Sequence, residues 1–209
     1  MLTITGTGSL TAVGGSYGAG IGGADDGVEG VGLNITIESG NITATGGSAG
    51  AGIGGAYGAQ GKYITINGGT VVATGGSGGA GIGGGMNHIG EYITITGGSV
   101  TAISTSGYGI GSASGCGYAG SYTDSFVISG GSVKITSDYY GAEIGNGTSA
   151  ITPNNGTDSV YLLTIANYNR EAVMIDGAAY PLSCHSGEDV NLYIYLTGTD
   201  HTVTIGSVE

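Results

Sequence analysis

The chain contains very few basic side chains. Lysine and arginine together number three, against 15 acidic residues, so the formal net charge is -12. A surface of this sign repels phosphate groups and the headgroups of anionic lipids. We therefore expect no nucleic acid among the partners of this protein and no insertion into a membrane.

Cysteine, proline, phenylalanine and tryptophan are also scarce. The chain has two cysteines, two prolines, one phenylalanine and no tryptophan. Cys116 and Cys184 are too few for a disulfide scaffold, and their spacing is not that of a metal site. The sequence leaves open whether the two thiols form one bridge or stay free.

Long apolar segments are absent as well. No stretch approaches the roughly 20 apolar residues that a membrane-spanning helix needs, and no signal-peptide pattern is present. The chain begins MLTITG, which lies within a strand-like pattern. This start predicts a fragment cut from a longer parent chain that carries other domains.

Glycine is the residue that the chain has in excess. There are 49 glycines, while 39% of the residues are apolar. The glycines do not recur at every third position, which excludes collagen, and the alternating runs of Ile, Val and Tyr exclude a disordered linker. The composition therefore favours short strands joined by glycine-rich turns.

The glycines belong to a repeat of about 30 residues. Aligned isoleucines recur at spacings of 32, 29, 28 and 34 residues, namely Ile21, Ile53, Ile82, Ile110 and Ile144. A second aligned set is Ile37, Ile66, Ile95 and Ile128, each followed five residues later by Ile42, Val71, Val100 or Val133. A fixed period of this length is typical of a solenoid.

Each repeat is predicted to contain three short straight segments. In the third repeat these are ITIN (64–67), a Gly-Gly turn, TVVAT (70–74), and the segment AGIGG. The segments have strand and turn chemistry and no helical period. The sequence predicts an all-β fold, a right-handed parallel β-helix of about five coils over residues 1–152, in which aliphatic side chains stack from coil to coil.

Two irregular positions lead to further expectations. The second glycine of the repeated pair, as in Gly55, becomes Asn146 in the fifth repeat, which indicates a left-handed backbone in that column. Tyr108 replaces the alanine of the other repeats, as in Ala51, and we expect the fourth coil to be distorted there.

The amino-acid pattern of the chain changes after residue 152, where the glycine-rich repeats end. The stretch PNNGTD (153–158) is typical of a connector, and the segment VNLYIYL (190–196) alternates like a half-buried strand. Residues 153–209 are few for an independent fold, and an open solenoid end needs a cover. We predict a small C-terminal β module that caps the last coil.

The segment GAGIGG occurs three times, at 18–23, 50–55 and 79–84, and matches the G-x-G-x-x-G pattern of a dinucleotide-binding loop. Such a loop needs a helix directly after it, which holds the pyrophosphate at its N-terminus. No helical pattern follows any copy. The sequence favours a corner of the coil over a nucleotide site.

Several segments resemble known repeat modules. The repeat units ITITGGSVTA (93–102) and TATGGSAGAGIGG (43–55), together with the tail segments SVYLLTI (159–165) and MIDGAAYPLS (174–183), resemble modular surface proteins of Gram-positive and gut bacteria, which carry Gly-rich right-handed β-helix repeats. Those proteins are commonly described as carbohydrate-binding or adhesin-like. The resemblance implies a secreted or cell-surface location, with a polysaccharide or a host-cell glycan as the partner.

Two groups of polar residues are candidate sites. Tyrosine and carboxylate side chains suit a sugar ligand, and we predict a carbohydrate contact at Asp138, Tyr139, Tyr140 and Glu143. The alternative is that the last coil is irregular there because it meets the C-terminal module. Carboxylates in a loop suit Ca²⁺, and Asp25, Asp26 and Glu29 form the candidate metal site, with a solvated turn as the alternative. No other cofactor is expected.

Catalysis is the less favoured interpretation. A polysaccharide lyase would use a strong base such as arginine, and the single arginine, Arg170, lies outside the repeats; a glycosidase needs two carboxylates placed across one bond. Columns of threonine on the strands raise ice binding as another alternative. We predict a non-catalytic module for adhesion or carbohydrate binding, with a passive structural spacer as the main alternative.

Overall fold

The computed structural model describes residues 1–24, 31–115, 126–137, 144–145, 160–168, 171–179, 190–197 and 200–206. Within these ranges every regular element is a strand. The strands of residues 1–145 lie in three parallel sheets, which confirms the predicted parallel β-helix. Each sheet has five rungs, linked by four complete turns of the chain, and the hand of the coil stays a prediction.

Each coil contributes one strand to each sheet. Sheet A contains β1 (Leu2–Ile4), β4 (Gly32–Ile37), β7 (Gly61–Ile66), β10 (Gly90–Ile95) and β13 (Val127–Ile128). Sheet B contains β2 (Ser9–Val13), β5 (Asn41–Thr45), β8 (Thr70–Thr74), β11 (Ser99–Ser104) and β14 (Ser132–Ser137). Sheet C contains β3 (Ile21–Gly22), β6 (Ile53–Gly54), β9 (Ile82–Gly83), β12 (Ile110–Gly111) and β15 (Ile144–Gly145).

The register between coils matches the aligned sequence columns. Ile53 lies directly opposite Ile21 and Ile82, and Ile66 lies opposite Ile37 and Ile95. These side chains are buried in one continuous core. Because burial of an aliphatic side chain contributes about 1.5–3 kcal/mol, the stacked isoleucines stabilise the coils more than any polar contact does.

The repeated glycine pair allows the coils to approach each other in sheet C. The first glycine of the pair has a positive φ, from 120° to 138°, at Gly22, Gly54, Gly83 and Gly111. A Cβ on Gly54 would lie 2.0 Å from the carbonyl oxygen of Gly83 in the next coil. The substitution by Asn146 predicted a left-handed backbone at the second glycine, as in Gly55, and that prediction is wrong, because Gly55 does not have a positive φ.

The fourth coil keeps its register at Tyr108. Tyr108 is buried, and its N–H donates to the oxygen of Ser112 at 2.9 Å, as Ala51 N–H donates to Gly55. Ile110 lies opposite Ile82 and Ile144, in the same column as in the other coils. The turn before Tyr108 differs, since Ser104 Oγ accepts from Gly107 N–H. The expected distortion is therefore confined to this turn and does not reach β12.

In the described ranges after residue 145, five further strands follow the coils. They are β16 (Val160–Tyr168), β17 (Val173–Ile175), β18 (Ala178–Ala179), β19 (Val190–Thr197) and β20 (Val203–Ile205). Strand β19 pairs antiparallel with β14 and with β16, so it occupies the edge of sheet B where a sixth coil would continue. Buried Val173 and Ile194 form a second, smaller core with neighbouring apolar side chains. The division of the chain between residues 152 and 153 stays a prediction.

A two-residue turn joins β17 to β18. Asp176 and Gly177 both have a positive φ, of 52° and 78°, as the tight hairpin turn of an Asp-Gly pair requires. His201 Nδ1 lies 2.7 Å from Asp176 Oδ2, and Thr202 N–H donates to Oδ1 at 2.9 Å. The hydrogen bond from His201, followed by that from Thr202, lowers the pKa of Asp176 below its ordinary value of 3.8.

Candidate functional site

The residues predicted to form sites lie outside the part of the chain that the structure describes. This applies to the candidate sugar contacts Asp138, Tyr139, Tyr140 and Glu143, and to the candidate Ca²⁺ ligands Asp25, Asp26 and Glu29. Cys116 and Cys184 also lie outside it. Both site assignments stay predictions.

Acidic residues in the described ranges do not gather into a metal site. Among those residues, no group of three or more His, Cys, Asp or Glu side chains lies close enough together to hold a metal ion. Glu91 is 2% exposed and pairs with Lys62 Nζ through Oε2 at 2.6 Å. Among the described residues, its Oε1 atom has no hydrogen-bond partner. Removing a carboxylate from water raises the free energy of the folded state, and the ion pair with Lys62 offsets part of this desolvation penalty.

Polar side chains continue the stacking at the end of sheet A. Asn67 donates through Nδ2 to both carboxylate oxygens of Glu38, at 3.2 and 3.0 Å, and its Oδ1 accepts from the Thr96 hydroxyl at 2.7 Å. These hydrogen bonds link Glu38, Asn67 and Thr96 of three successive coils and so stabilise the stacking.

The threonine columns are in register but are not a flat exposed array. Thr36 lies opposite Thr3 and Thr65 in sheet A, and it is only half-exposed. In sheet B, Thr11 and Thr43 are exposed, whereas Thr101 in the fourth coil is buried. The structure thus gives no continuous threonine plane across these coils of sheet B.

Two tyrosines of sheet A stack on each other. The ring centroids of Tyr63 and Tyr92 are 4.9 Å apart, with planes inclined by 10°. Both residues have a positive φ, of 56° and 53°, as has Asn34 one coil earlier. Because each ring covers one face of the other, only the outer face of each ring is left for a ligand. This pair is therefore better suited to holding coils together.

A second tyrosine pair lies at a corner of the solenoid. Tyr17 precedes β3 and Tyr57 follows β6, with ring centroids 5.5 Å apart and planes inclined by 50°. Each tyrosine is 47% exposed. The inclination keeps the two rings from covering each other as fully as parallel rings do. This pair presents flat apolar faces and phenolic hydroxyl groups to solvent.

Backbone hydrogen bonds fix the corner pair in place. Tyr57 N–H donates to the oxygen of Tyr17 at 2.9 Å, and the Ser48 hydroxyl donates to the oxygen of Ser16 at 2.7 Å. Asn87 Nδ2 lies 3.4 Å from the Tyr57 hydroxyl. We call Ser16, Tyr17, Ser48, Tyr57 and Asn87 the corner patch. It combines two aromatic faces, hydroxyl groups and an amide, without a charged side chain.

The sequence repeat does not predict the corner patch, because the tyrosines of the patch are not aligned in the repeat. Tyr17 lies before the segment GAGIGG of its coil, and Tyr57 lies after that of the next coil. Alignment by repeat therefore separates them, although the loops bring them into contact. Tyr63 and Tyr92, in contrast, are 29 residues apart and occupy equivalent positions in KYITI and EYITI. Their spacing of one repeat could therefore have predicted from the sequence that Tyr63 and Tyr92 lie next to each other.

Comparison with known proteins identifies the repeat. Residues 2–25, 35–57, 64–86 and 93–118 each match the family model described as a beta helix repeat. Each segment covers most of one of the first four coils. The chain therefore contains a β-helix repeat module. Comparisons with curated proteins and with solved structures find no match.

Among the residues that the structure describes, no helix is long and apolar enough to cross a bilayer.

Proposed function

We propose that this chain is a non-catalytic module of a secreted or cell-surface protein, and that it binds neutral glycans through the corner patch. The observation that supports the proposal is the exposed, mutually inclined pair of Tyr17 and Tyr57. The C–H faces of a sugar ring pack on aromatic rings, while its hydroxyl groups need donors and acceptors beside them. The corner patch supplies both.

The rigidity of the corner patch favours binding. Tyr57 is held to Tyr17 by a main-chain hydrogen bond, and Met86 N–H donates to Ala49, next to Ser48, at 2.8 Å. Loops held in this way lose little further freedom when a ligand binds. A weak contact with a single sugar unit is therefore not cancelled by the cost of ordering the loops.

The charge of the protein limits the class of glycan. The net charge of -12 repels polysaccharides that carry carboxylate or sulfate groups. The corner patch itself contributes no basic side chain that would attract them. Neutral hexose polymers are the ligands that this surface accommodates best.

We propose that the module binds glycans without catalysing their cleavage. Beta-helix repeats occur both in lyases and hydrolases and in proteins without catalytic activity. A glycosidase needs two carboxyl groups about 5–10 Å apart on either side of the sugar. The corner patch contains no carboxylate, and this composition supports binding without cleavage.

The test is a glycan and polysaccharide binding screen on the full chain, with and without Ca²⁺. We expect the double variant Tyr17→Ala/Tyr57→Ala to lose binding of neutral glycans by about tenfold or more, as for removal of central aromatic contacts. The matched control is Tyr63→Ala/Tyr92→Ala, which removes the same number of exposed rings from sheet A and should keep full binding.

Other outcomes of the same screen decide between the remaining candidates. If Glu143→Ala and Tyr140→Ala lose binding while Tyr17→Ala/Tyr57→Ala binds fully, the site would be assigned to the predicted contacts near residue 140. Dependence on Ca²⁺ would support the loop of Asp25, Asp26 and Glu29. Release of shortened sugar products would indicate an enzyme.

A passive spacer is the second candidate function. It is favoured by the uninterrupted aliphatic columns through all five rungs, which make a stiff rod without requiring a ligand. Failure of every glycan to bind, together with high resistance to proteolysis, would support the spacer over the binding module.

A further inference from the structure

The corner of the solenoid at Tyr17 and Tyr57 is built in the same way in the coils that follow. Tyr57 N–H donates to the Tyr17 oxygen at 2.9 Å, and two further backbone pairs occupy the equivalent places in the next coils. They are Met86 N–H with the Ala49 oxygen at 2.8 Å and Ser114 N–H with the Gly78 oxygen at 3.0 Å. The corner patch is therefore the first part of a surface that continues along the axis of the solenoid.

A row of exposed hydroxyl groups runs beside these contacts. Ser48 Oγ donates to the Ser16 oxygen at 2.7 Å, and Ser77 Oγ donates to the Ser48 oxygen at 2.7 Å. All three serines are exposed. Because Ser48 and Ser77 give their hydroxyl protons to the main chain, their oxygens can still accept a hydrogen bond from a ligand. Acceptors thus recur along the axis at the coil spacing of about 4.8 Å.

The side chains that follow Tyr57 along the axis differ from coil to coil. Met86 and Ser114 are both partly exposed, the first with an apolar thioether and the second with a hydroxyl group. Asn87 lies between them and the aromatic pair, since its Nδ2 is 3.4 Å from the Tyr57 hydroxyl and its N–H donates to the Ser114 oxygen at 2.8 Å. A sugar unit beyond the tyrosines would therefore find an apolar contact at Met86 and polar groups beside it.

Along a single coil, in contrast, the tyrosines have few polar neighbours. Tyr57 stands in the segment GAYGA (55–59), and Tyr17 is followed by Gly18 and Ala19. Glycine and alanine have no polar side-chain group with which a sugar hydroxyl could bond. A sugar chain that followed the coil would therefore lose polar contacts on leaving the aromatic pair, whereas a chain parallel to the axis meets them in each coil.

From these observations we propose that the ligand is a straight chain of neutral, β-1,4-linked hexoses, and that about three consecutive units lie parallel to the axis of the solenoid. The direction, length and linkage of this chain rest on the glycan binding proposed above for the corner patch. A β-1,4 linkage keeps successive hexoses in an extended ribbon, in which each unit advances by roughly the spacing between coils. An α-1,4-linked chain curves, so it would leave the line of contacts after the tyrosines.

Calorimetric titration of the full chain with linear oligosaccharides of defined length tests the direction and the linkage. We expect the affinity for β-1,4-linked oligomers of glucose or of mannose to rise by about tenfold or more between two and four units, because the longer chain adds about two hydrogen bonds. The matched control is the series of α-1,4-linked glucose oligomers, which has the same composition as the β-linked glucose series. Its affinity should change by less than about twofold over the same lengths.

The variant Asn87→Gly tests whether the sugar chain reaches the third coil. Asn87 has a φ of 69°, and the equivalent residues of the neighbouring coils, Gly58 and Gly115, have φ values of 67° and 74°. Glycine should therefore keep the loop while it removes the amide. We expect Asn87→Gly to bind the four-unit β-linked chain at least about threefold more weakly, and the two-unit chain within about twofold of the wild type. Asn34→Gly makes the same change at a φ of 55° in sheet A and should alter neither affinity.

Several outcomes would overturn this binding mode without overturning glycan binding itself. They are equal affinity for all chain lengths, an equal rise for α- and β-linked chains, and equal effects of Asn87→Gly and Asn34→Gly. Two other outcomes would overturn the proposed function, and this binding mode with it. In the first, no neutral glycan binds the wild type; in the second, Tyr17→Ala/Tyr57→Ala binds the four-unit chain as tightly as the wild type does.

Discussion

The single methyl group that separates glycine from alanine decides whether the coils can stack in sheet C. Gly54 has a φ of 137°, and a Cβ there would lie 2.0 Å from the Gly83 oxygen. Gly54→Ala combines a strained backbone with overpacking against the main chain, so we expect it to lower the free energy of unfolding by about 3–5 kcal/mol. Chemical denaturation measures the change.

Gly15 supplies the control for this prediction. A Cβ on Gly15 would have no atom within 4 Å, and its φ is not positive. Gly15→Ala should change the free energy of unfolding by less than about 0.5 kcal/mol. Equal effects of the two substitutions would contradict the close approach of the coils at Gly54.

The carboxylate of Asp176 connects stability to pH. The hydrogen bonds from His201 and Thr202 lower its pKa in the folded chain, so the folded state favours the ionised form. Its contribution is complete above the ordinary pKa of 3.8 and disappears as the pH falls through the lower folded value. Acidification below about pH 4 should therefore weaken the hairpin of β17 and β18.

Asp176→Asn isolates this contribution. Asparagine keeps the preference for a positive φ in the tight turn but cannot ionise. We expect the wild type to be more stable than the variant near pH 6, and the difference to shrink at pH values below the folded pKa of Asp176. Urea unfolding at several pH values measures it, and a difference that grows on acidification would contradict the assignment.

At the scale of the strands, Tyr63 and Tyr92 each affect the stability of the fold in two opposed ways. A positive φ disfavours tyrosine by about 1 kcal/mol, whereas stacked aromatic rings contribute about 0.5–1.5 kcal/mol beyond their burial. Asn34 occupies the same column with a φ of 55°. Replacing one tyrosine by asparagine should therefore change stability little, because strain and stacking are lost together.

A double-mutant cycle separates the two effects. We expect Tyr63→Asn and Tyr92→Asn to show a coupling free energy of about 1 kcal/mol, because the stack is lost in either single variant. Equilibrium unfolding of the four chains measures this value. Additive changes would mean that the rings do not stabilise each other.

The strands themselves could be predicted because their positions repeat. Ile53 and Ile66 belong to columns that the spacing alone reveals, and their registers are confirmed. The corner patch could not be predicted in this way, since Tyr17 and Tyr57 meet through loops of different coils. The first glycine of the pair recurs in all five repeats, whereas the second is replaced by Ser112 and Asn146, so the sequence did carry a signal for the positive φ at the first position. Contacts between loops of different coils are three-dimensional properties that a sequence column does not encode.

At the scale of the whole molecule, the two ends of the solenoid differ. The C-terminal end of sheet B is paired with β19, whereas the N-terminal end exposes Leu10 on an edge strand. In the chain of 209 residues, local opening should be easier in β2, which has a strand on one side, than in β8, which has strands on both sides. Hydrogen exchange should therefore be faster in β2 than in β8, and equal exchange in the two strands would contradict this expectation.

The contact between Gly54 and Gly83 also bears on how the length of such a protein can change over generations. Removing residues 53–81, a block of 29, would join Gly52 to Ile82 and restore the same GAGIGG segment at the junction. A duplication of that block would do so equally. Loss or gain of one residue inside a strand would instead misalign every column beyond it. Variants of this protein should therefore differ in length by whole coils, each adding about 4.8 Å to the rod.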